Sequence, residues 1–212
     1  MEISWHGHSC FRLRDKDGLV ITDPYGKGIG YSLPHIRADI VTISHYHPHH
    51  SYLKGVKGEP KVIDAPGEYE IQGVFIAGIA SFHDKRRGRD RGRNTIYLFD
   101  FDGFTICHLG DLGQVLTPSQ VEELGDVDLL LIPVGGHTTI NAAEASEVIS
   151  LLEPRLVIPM HYRTETTVGS PLDEVDKFLK VMGVKGEVQD SLKVTKSTLP
   201  DETQVVILRH KG

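Results

Sequence analysis

This sequence predicts a layered α/β architecture, mixed β-sheets covered by helices. Two observations carry that prediction. The first half is dense in short apolar runs separated by turn residues, and the second half alternates apolar strands with capped helices. A third bears on organisation: 212 residues without internal repeat, low-complexity tract or linker read as one domain over residues 1–212.

Taken in order, Ile3 to Leu13 and Leu19 to Thr22 read as strands flanking the polar stretch Arg14-Asp15-Lys16-Asp17-Gly18, whose Asp-Gly is a hairpin signal. Asp39 to Ser44 is a short β-rich run. Lys61 to Ile63, Tyr69 to Ile79 and Thr95 to His108 follow, the last folded on itself at Asp102-Gly103. Thr117-Pro118-Ser119-Gln120 has the N-cap, the proline and the reciprocal Gln of a helix start, and that helix runs to about Leu124. The strand Val127 to Val134 precedes a second helix opened by Asn141-Ala142-Ala143-Glu144, in which Ala143, Val148, Leu151 and Leu152 are expected to face the core. After the strand Leu156 to Met160, Ser170-Pro171-Leu172-Asp173 is expected to start a third helix carrying Val175, Phe178, Leu179 and Met182. Strands near Leu192 to Val194 and Gln204 to Leu208 end the series.

Twelve histidines are present, and four of them crowd into His45-Tyr46-His47-Pro48-His49-His50. Residues i and i+2 of extended backbone point to one side, so His45 and His47 can converge on one ion. A turn after Pro48 lets His49 and His50 reach another. Four imidazoles beside an apolar strand need partners, and imidazole nitrogen suits Zn, Fe, Ni or Cu, with zinc the usual default. Further candidates sit just past predicted strands: His83, His108 with Asp111, His137 and His161. Asp111 is the best-placed carboxylate to bridge two ions about 3.5–4 Å apart, as in hydrolytic bimetal centres.

These residues carry a resemblance. The chain resembles, over nearly its whole length, a metallo-β-lactamase-fold hydrolase, and most the small branch that includes ascorbate-6-phosphate lactonase. His45 to His50 is similar to the superfamily's HxHxDH motif, His108-Leu109-Gly110-Asp111 to its HxGD motif, and Pro159-Met160-His161-Tyr162 to its last ligand motif. Trp5-His6-Gly7-His8-Ser9 and Ile21-Thr22-Asp23-Pro24 match that branch's first strands. The resemblance implies a four-layer αββα sandwich with metals at one edge of two sheets. One ion would lie on His45, His47 and His83, a second on position 49, His50 and His161, with Asp111 between them. It implies one or two zinc ions, with Mn or Fe as options, and a metal-bound hydroxide that attacks an ester, lactone or phosphodiester. His108 and His137 would then orient ligands or face the substrate, and count with Asp111 as catalytic groups. The motif's Asp is His49 here, a neutral nitrogen for an anionic oxygen, which predicts weaker binding at the second position.

Other signals bound the function. Lys85 to Arg93 holds six basic residues in nine. By composition it is a solvated mobile loop; beside His83 it is also a candidate contact for an anionic substrate, with Arg87 and Arg89 as the expected contacts. Gly26-Lys27-Gly28-Ile29-Gly30 lacks the helix a nucleotide loop needs and reads as a flexible loop over the site. Cys107, in an apolar strand, reads as an inert buried thiol. Tyr46 and Tyr162 can offer phenols or simply pack. A net charge of −6 counts against broad capture of nucleic acid. Two cysteines and no evident secretory signal or apolar membrane span predict a cytoplasmic protein. The expected partner is an anionic small molecule, with neither nucleic acid nor membrane. Two other readings remain: a nuclease of the same fold, and a non-catalytic metal-binding protein, which His49 sustains.

Overall fold

Two β-sheets share one continuous set of buried apolar residues. The structure is a computed structural model describing residues 1–16 and 18–212, so the Asp17 half of the predicted Asp17-Gly18 turn lies outside the described residues. The chain first lays down β1 (Glu2–Trp5), β2 (Phe11–Arg14), β3 (Leu19–Thr22), β4 (Ile36–Arg37), β5 (Ile40–Thr42), β6 (Val56–Lys57) and β7 (Lys61–Ile63). Next come β8 (Gly67–Ile71), β9 (Val74–Phe82), β10 (Arg93–Phe101) and β11 (Phe104–His108). The second half alternates α1 (Pro118–Leu124), β12 (Leu129–Pro133), α2 (Ala142–Leu152), β13 (Leu156–Met160) and α3 (Val175–Met182), then β14 (Glu187–Gln189), β15 (Leu192–Lys193) and β16 (Gln204–Leu208).

One sheet has the order β15-β1-β2-β3-β5-β7 and the other β14-β16-β13-β12-β11-β10-β9-β8, while β4 and β6 pair separately. In the first, β3, β5 and β7 run parallel; in the second, β11, β12, β13 and β16 do. Because β11, β12 and β13 succeed one another in one direction, right-handed crossovers put α1 and α2 on the same face of that sheet. The Tyr97 hydroxyl, on β10, reaches the carbonyls of Ile43 and Ile63 in the other sheet, at 3.0 and 3.1 Å.

Local signals set several boundaries. Thr117 with Gln120 and Asn141 with Glu144 form reciprocal capping boxes. Asp102 and Gly103 both take left-handed φ, as a two-residue hairpin turn requires. Elsewhere the structure corrects the expectation. Ile3 to Leu13 is two strands, because Gly7 (φ +96°) and His8 (φ +54°) reverse the chain and pair Trp5 with Phe11. Tyr69 to Ile79 is likewise broken at Gln72-Gly73, both at positive φ. On α2 the buried face is Ala142, Ala145, Val148, Ile149 and Leu152, whereas Ala143 and Leu151 are exposed. The third helix starts at Val175 rather than at Ser170. Asp173 is tied down by two hydrogen bonds, its N–H donating to Gly135 and its carbonyl accepting from Arg163, and the N-cap Glu174 that follows is extended. Among the described residues no helix is long and apolar enough to cross a membrane.

Candidate metal centre

The candidate residues gather where strands end. Asp23 follows β3, His45 to His50 follow β5, His83 follows β9, His108 ends β11 with Asp111 just beyond, His137 follows β12 and His161 follows β13. Most of these are carboxyl ends of parallel strands, the usual position of sites in open α/β sheets. The β1–β2 turn adds His8.

Their centre is one oxygen. Asp111 Oδ2 lies 3.3 Å from Nε2 of His50, of His83 and of His161. Three groups of donor atoms, each mutually within 4.8 Å, overlap there: His45, His83 and Asp111; His45, His47 and His50; and His8, His50 and His161. The structure thus brings together His45, His47, His50, His83, Asp111 and His161. It leaves His49 outside every such group among the described residues. The turn after His47, closed by the His50 N–H on the His47 carbonyl at 2.8 Å, carries His50 inward and leaves His49 on the cavity wall.

For His108, expected either to orient ligands or to face substrate, the structure favours the outer position. It is fully buried, with Nε2 2.9 Å from the Ser9 carbonyl, and it is absent from the cavity lining; it positions the Ser9 segment, whose hydroxyl lies 3.5 Å from Asp111 Oδ1. His137 does line the cavity, exposed and at φ +59°. His8 was missed because a spacing rule cannot pair residue 8 with residue 161. The available signal was its glycine-set turn just after a strand, the same setting as the other candidates.

Behind the centre sits Asp23, wholly buried. It accepts from the Ser44 N–H (2.7 Å), the Ser44 hydroxyl (2.6 Å) and His50 Nδ1 (2.9 Å). Burial pushes its carboxyl up, but the His50 hydrogen bond and charge outweigh that and hold it below the ordinary value. Asp111 behaves alike: burial opposes ionisation, yet His161 and His50 keep it well below the carboxylate range. For His50, burial is overcome by Asp111 and Asp23, and the ring is raised to about 10. Burial, then repulsion from His50, lowers His45 to about 4. His8, His47, His49 and His83 are also lowered, chiefly by burial. Rings so lowered are neutral at pH 7, the form that binds metal. Asp23→Asn puts an amide N–H against one of three donors, so metal affinity should fall roughly 10–100-fold. Competition against a chromophoric chelator reads this; unchanged affinity would leave Asp23 without a role in orienting His50.

This donor set fits a divalent cation. Three imidazole nitrogens aimed at one buried carboxylate oxygen have little reason to converge in a core, and nitrogen with carboxylate oxygen suits zinc, manganese or iron. The basic segment beside it is a hydrogen-bonded turn built on one carboxylate. The Asp84 carboxylate gathers the backbone N–H groups of Arg86, Gly88, Asp90 and Arg91 at 2.8–3.0 Å. These overcome the effect of burial and hold its pKa at about 2. Lys85 pairs with Glu144 and Arg86 with Asp90. Arg91, rather than Arg87 or Arg89, lines the cavity over the centre. Tyr46 is bonded to Asp64, and Tyr162 is stacked on Trp5 at 5.3 Å. Cys107 is buried with its thiol pushed up, an inert group.

Stacked sheets whose strand ends present a histidine–aspartate cluster around one buried oxygen define a metallohydrolase sandwich. The chain belongs to the beta-lactamase superfamily: the Beta-lactamase superfamily domain model matches residues 2–161, a span that holds every donor from His8 to His161. A UPF0173 metal-dependent hydrolase of Pyrococcus abyssi is 31% identical over 179 residues, covering 83% of this chain and 78% of that protein. One from Thermococcus onnurineus is 29% identical over 218 residues, covering 89% and 95%. A crystal structure from Thermotoga maritima, assigned to the Zn-dependent hydrolases of the metallo-beta-lactamase superfamily, superposes with a TM-score of 0.83 at 42% identity over 99% of both chains. The chain is therefore a metal-dependent hydrolase with the αββα metallo-β-lactamase fold.

Proposed function

We propose that this hydrolase cleaves an ester, lactone or phosphodiester bond in an anionic small molecule, with zinc as its metal. The observation that carries this reading is the cavity above the centre. Its volume is about 820 Å³, and Arg91 is the one arginine or lysine on its wall among the described residues. That size falls in the roughly 300–1,000 Å³ range of small-molecule sites.

His45, His47, His50, His83, His161 and Asp111 would hold the metal. Bound there, a dication supplies Lewis acidity and brings the pKa of water toward neutrality. The remaining tasks fall to the chain. The Arg91 guanidinium offers a planar fork to a carboxylate or phosphate, and the amide nest around Asp84 keeps its backbone in place. Gly28 to Gly30 and Thr166 to Leu172 also line the cavity, where Ile29, Val168 and Leu172 would give a bound substrate apolar cover. His49, on the wall with its pKa lowered by burial, is a neutral imidazole able to accept a proton from the reacting side of the cavity.

A panel of chromogenic phosphodiesters and lactones, assayed with Zn, Mn and Fe, tests the class. No turnover on any member with metal fully bound would count against it. On whichever anionic substrate turns over, Arg91→Ala should raise KM roughly tenfold or more, the worth of one charge-assisted hydrogen bond. Arg89→Ala should leave KM unchanged. Equal effects of the two substitutions would remove Arg91 from the substrate site.

A further inference from the structure

We propose that His8 is a metal ligand, completing with His50 and His161 the second binding position that the sequence assigns in part to His49. The inference rests on reading the cluster as a metal centre and adds a donor to it. The ring nitrogens of His8, His50 and His161 offer three donors within 4.8 Å of one another, whereas His49 joins no such group among the described residues. The His8 ring centroid lies 4.2 Å from that of His161 and 4.8 Å from that of His50, but 6.0 Å from that of His49.

The backbone is built to keep it there. His8 holds a left-handed φ of +54°, a conformation non-glycine residues keep only where surroundings enforce it. The enforcement is visible. The His8 carbonyl accepts from the Trp5 indole N–H at 3.0 Å and from the His161 N–H at 3.2 Å, so the turn is tied directly to the residue whose ring it faces. Gly7 makes the turn possible: at φ +96° a Cβ would stand 2.7 Å from the Tyr31 ring. No hydrogen bond engages the His8 side chain among the described residues, which leaves its nitrogens available. A third imidazole at this position restores the donor count that a nitrogen at position 49, turned to the cavity wall, does not provide.

The experiment uses the full chain, stripped and reloaded with Zn, dialysed, and measured by inductively coupled plasma mass spectrometry, with Co(II) absorption titrations for stepwise affinity. Wild type is expected to keep two equivalents. His8→Asn, which tolerates left-handed φ, is expected to lose the second equivalent or bind it more than roughly tenfold more weakly. His49→Asn is expected to keep both. Thermal melts of the metal-free variants check that each is folded. In wild type, ¹H–¹⁵N correlations of the imidazole nitrogens need no substitution, and the His8 ring is expected to shift with the second equivalent of Zn. A folded His8→Asn with unchanged second-step affinity, or an unmoved His8 resonance, overturns the assignment. A wild type that binds no second equivalent overturns the two-position centre itself, a failure distinguishable because it appears before any substitution.

Discussion

Asp111→Asn is expected to lower kcat/KM by more than the roughly 10–100-fold that loss of an outer partner of a metal ligand costs, and to strip at least one metal equivalent. Few substitutions in this chain should cost activity more. Asp111 Oδ2 lies 3.3 Å from three imidazole Nε2 atoms drawn from three separate strand ends. The amide matches the carboxylate in shape, and the Asp111 N–H keeps its 2.9 Å bond to Asn94 Oδ1, so the local backbone should hold. What disappears is the negative charge that a dication would need and that His50 now faces. Steady-state kinetics together with metal analysis would decide it. A variant with full metal content and activity within tenfold of wild type would remove Asp111 from the centre.

Gly135→Ala should be the most disruptive single methyl. A Cβ at this position would stand 2.1 Å from the His161 carbonyl oxygen and 3.0 Å from the Tyr162 Cα, both backbone atoms with no rotamer to yield. The strand end carrying His161 must therefore move. The cost should reach or pass the top of the roughly 1–3 kcal/mol range for overpacking, a fall in Tm of roughly 6–12 °C for a chain of this size. Metal content should fall with it, since the displaced residue is a candidate ligand. Gly169→Ala, where a Cβ meets nothing within 4 Å, should stay within about 0.5 kcal/mol of wild type. Similar melting temperatures for the two alanine variants would contradict this account of Gly135.

Much of the fold could be read from short-range signals. Thr117 with Gln120, Asn141 with Glu144 and the Asp102-Gly103 turn are self-contained chemistry, and the structure uses each as expected. The misreadings have physical causes. Ser170-Pro171 resembles a helix start, but Asp173 is claimed by Gly135 and Arg163, partners distant or unreadable in sequence, and tertiary bonds override local preference. The reversal at Gly7-His8 is hidden because the flanking residues suit a strand equally well. In the site, the run His45 to His50 was visible because its members are near neighbours in sequence. Composition revealed the charges of residues 85–93, yet not that Asp84 organises them or that Arg91 alone among them reaches the cavity. His8 was obscure for the opposite reason: what marks it is closeness to residues 50 and 161, which only folding creates.

That gathering has a mechanical side. His8, His45, His47 and His50 belong to the first sheet's loops, and His83, Asp111 and His161 to those of the second. An ion held by donors from both sets would tie the loops of one sheet to those of the other, a rivet at that end of the sandwich. The catalytic ingredient and the fastener are then the same object. A chain starved of metal would lose a clamp along with its chemistry, and occupancy would couple the tightness of the whole molecule to the supply of ion around it.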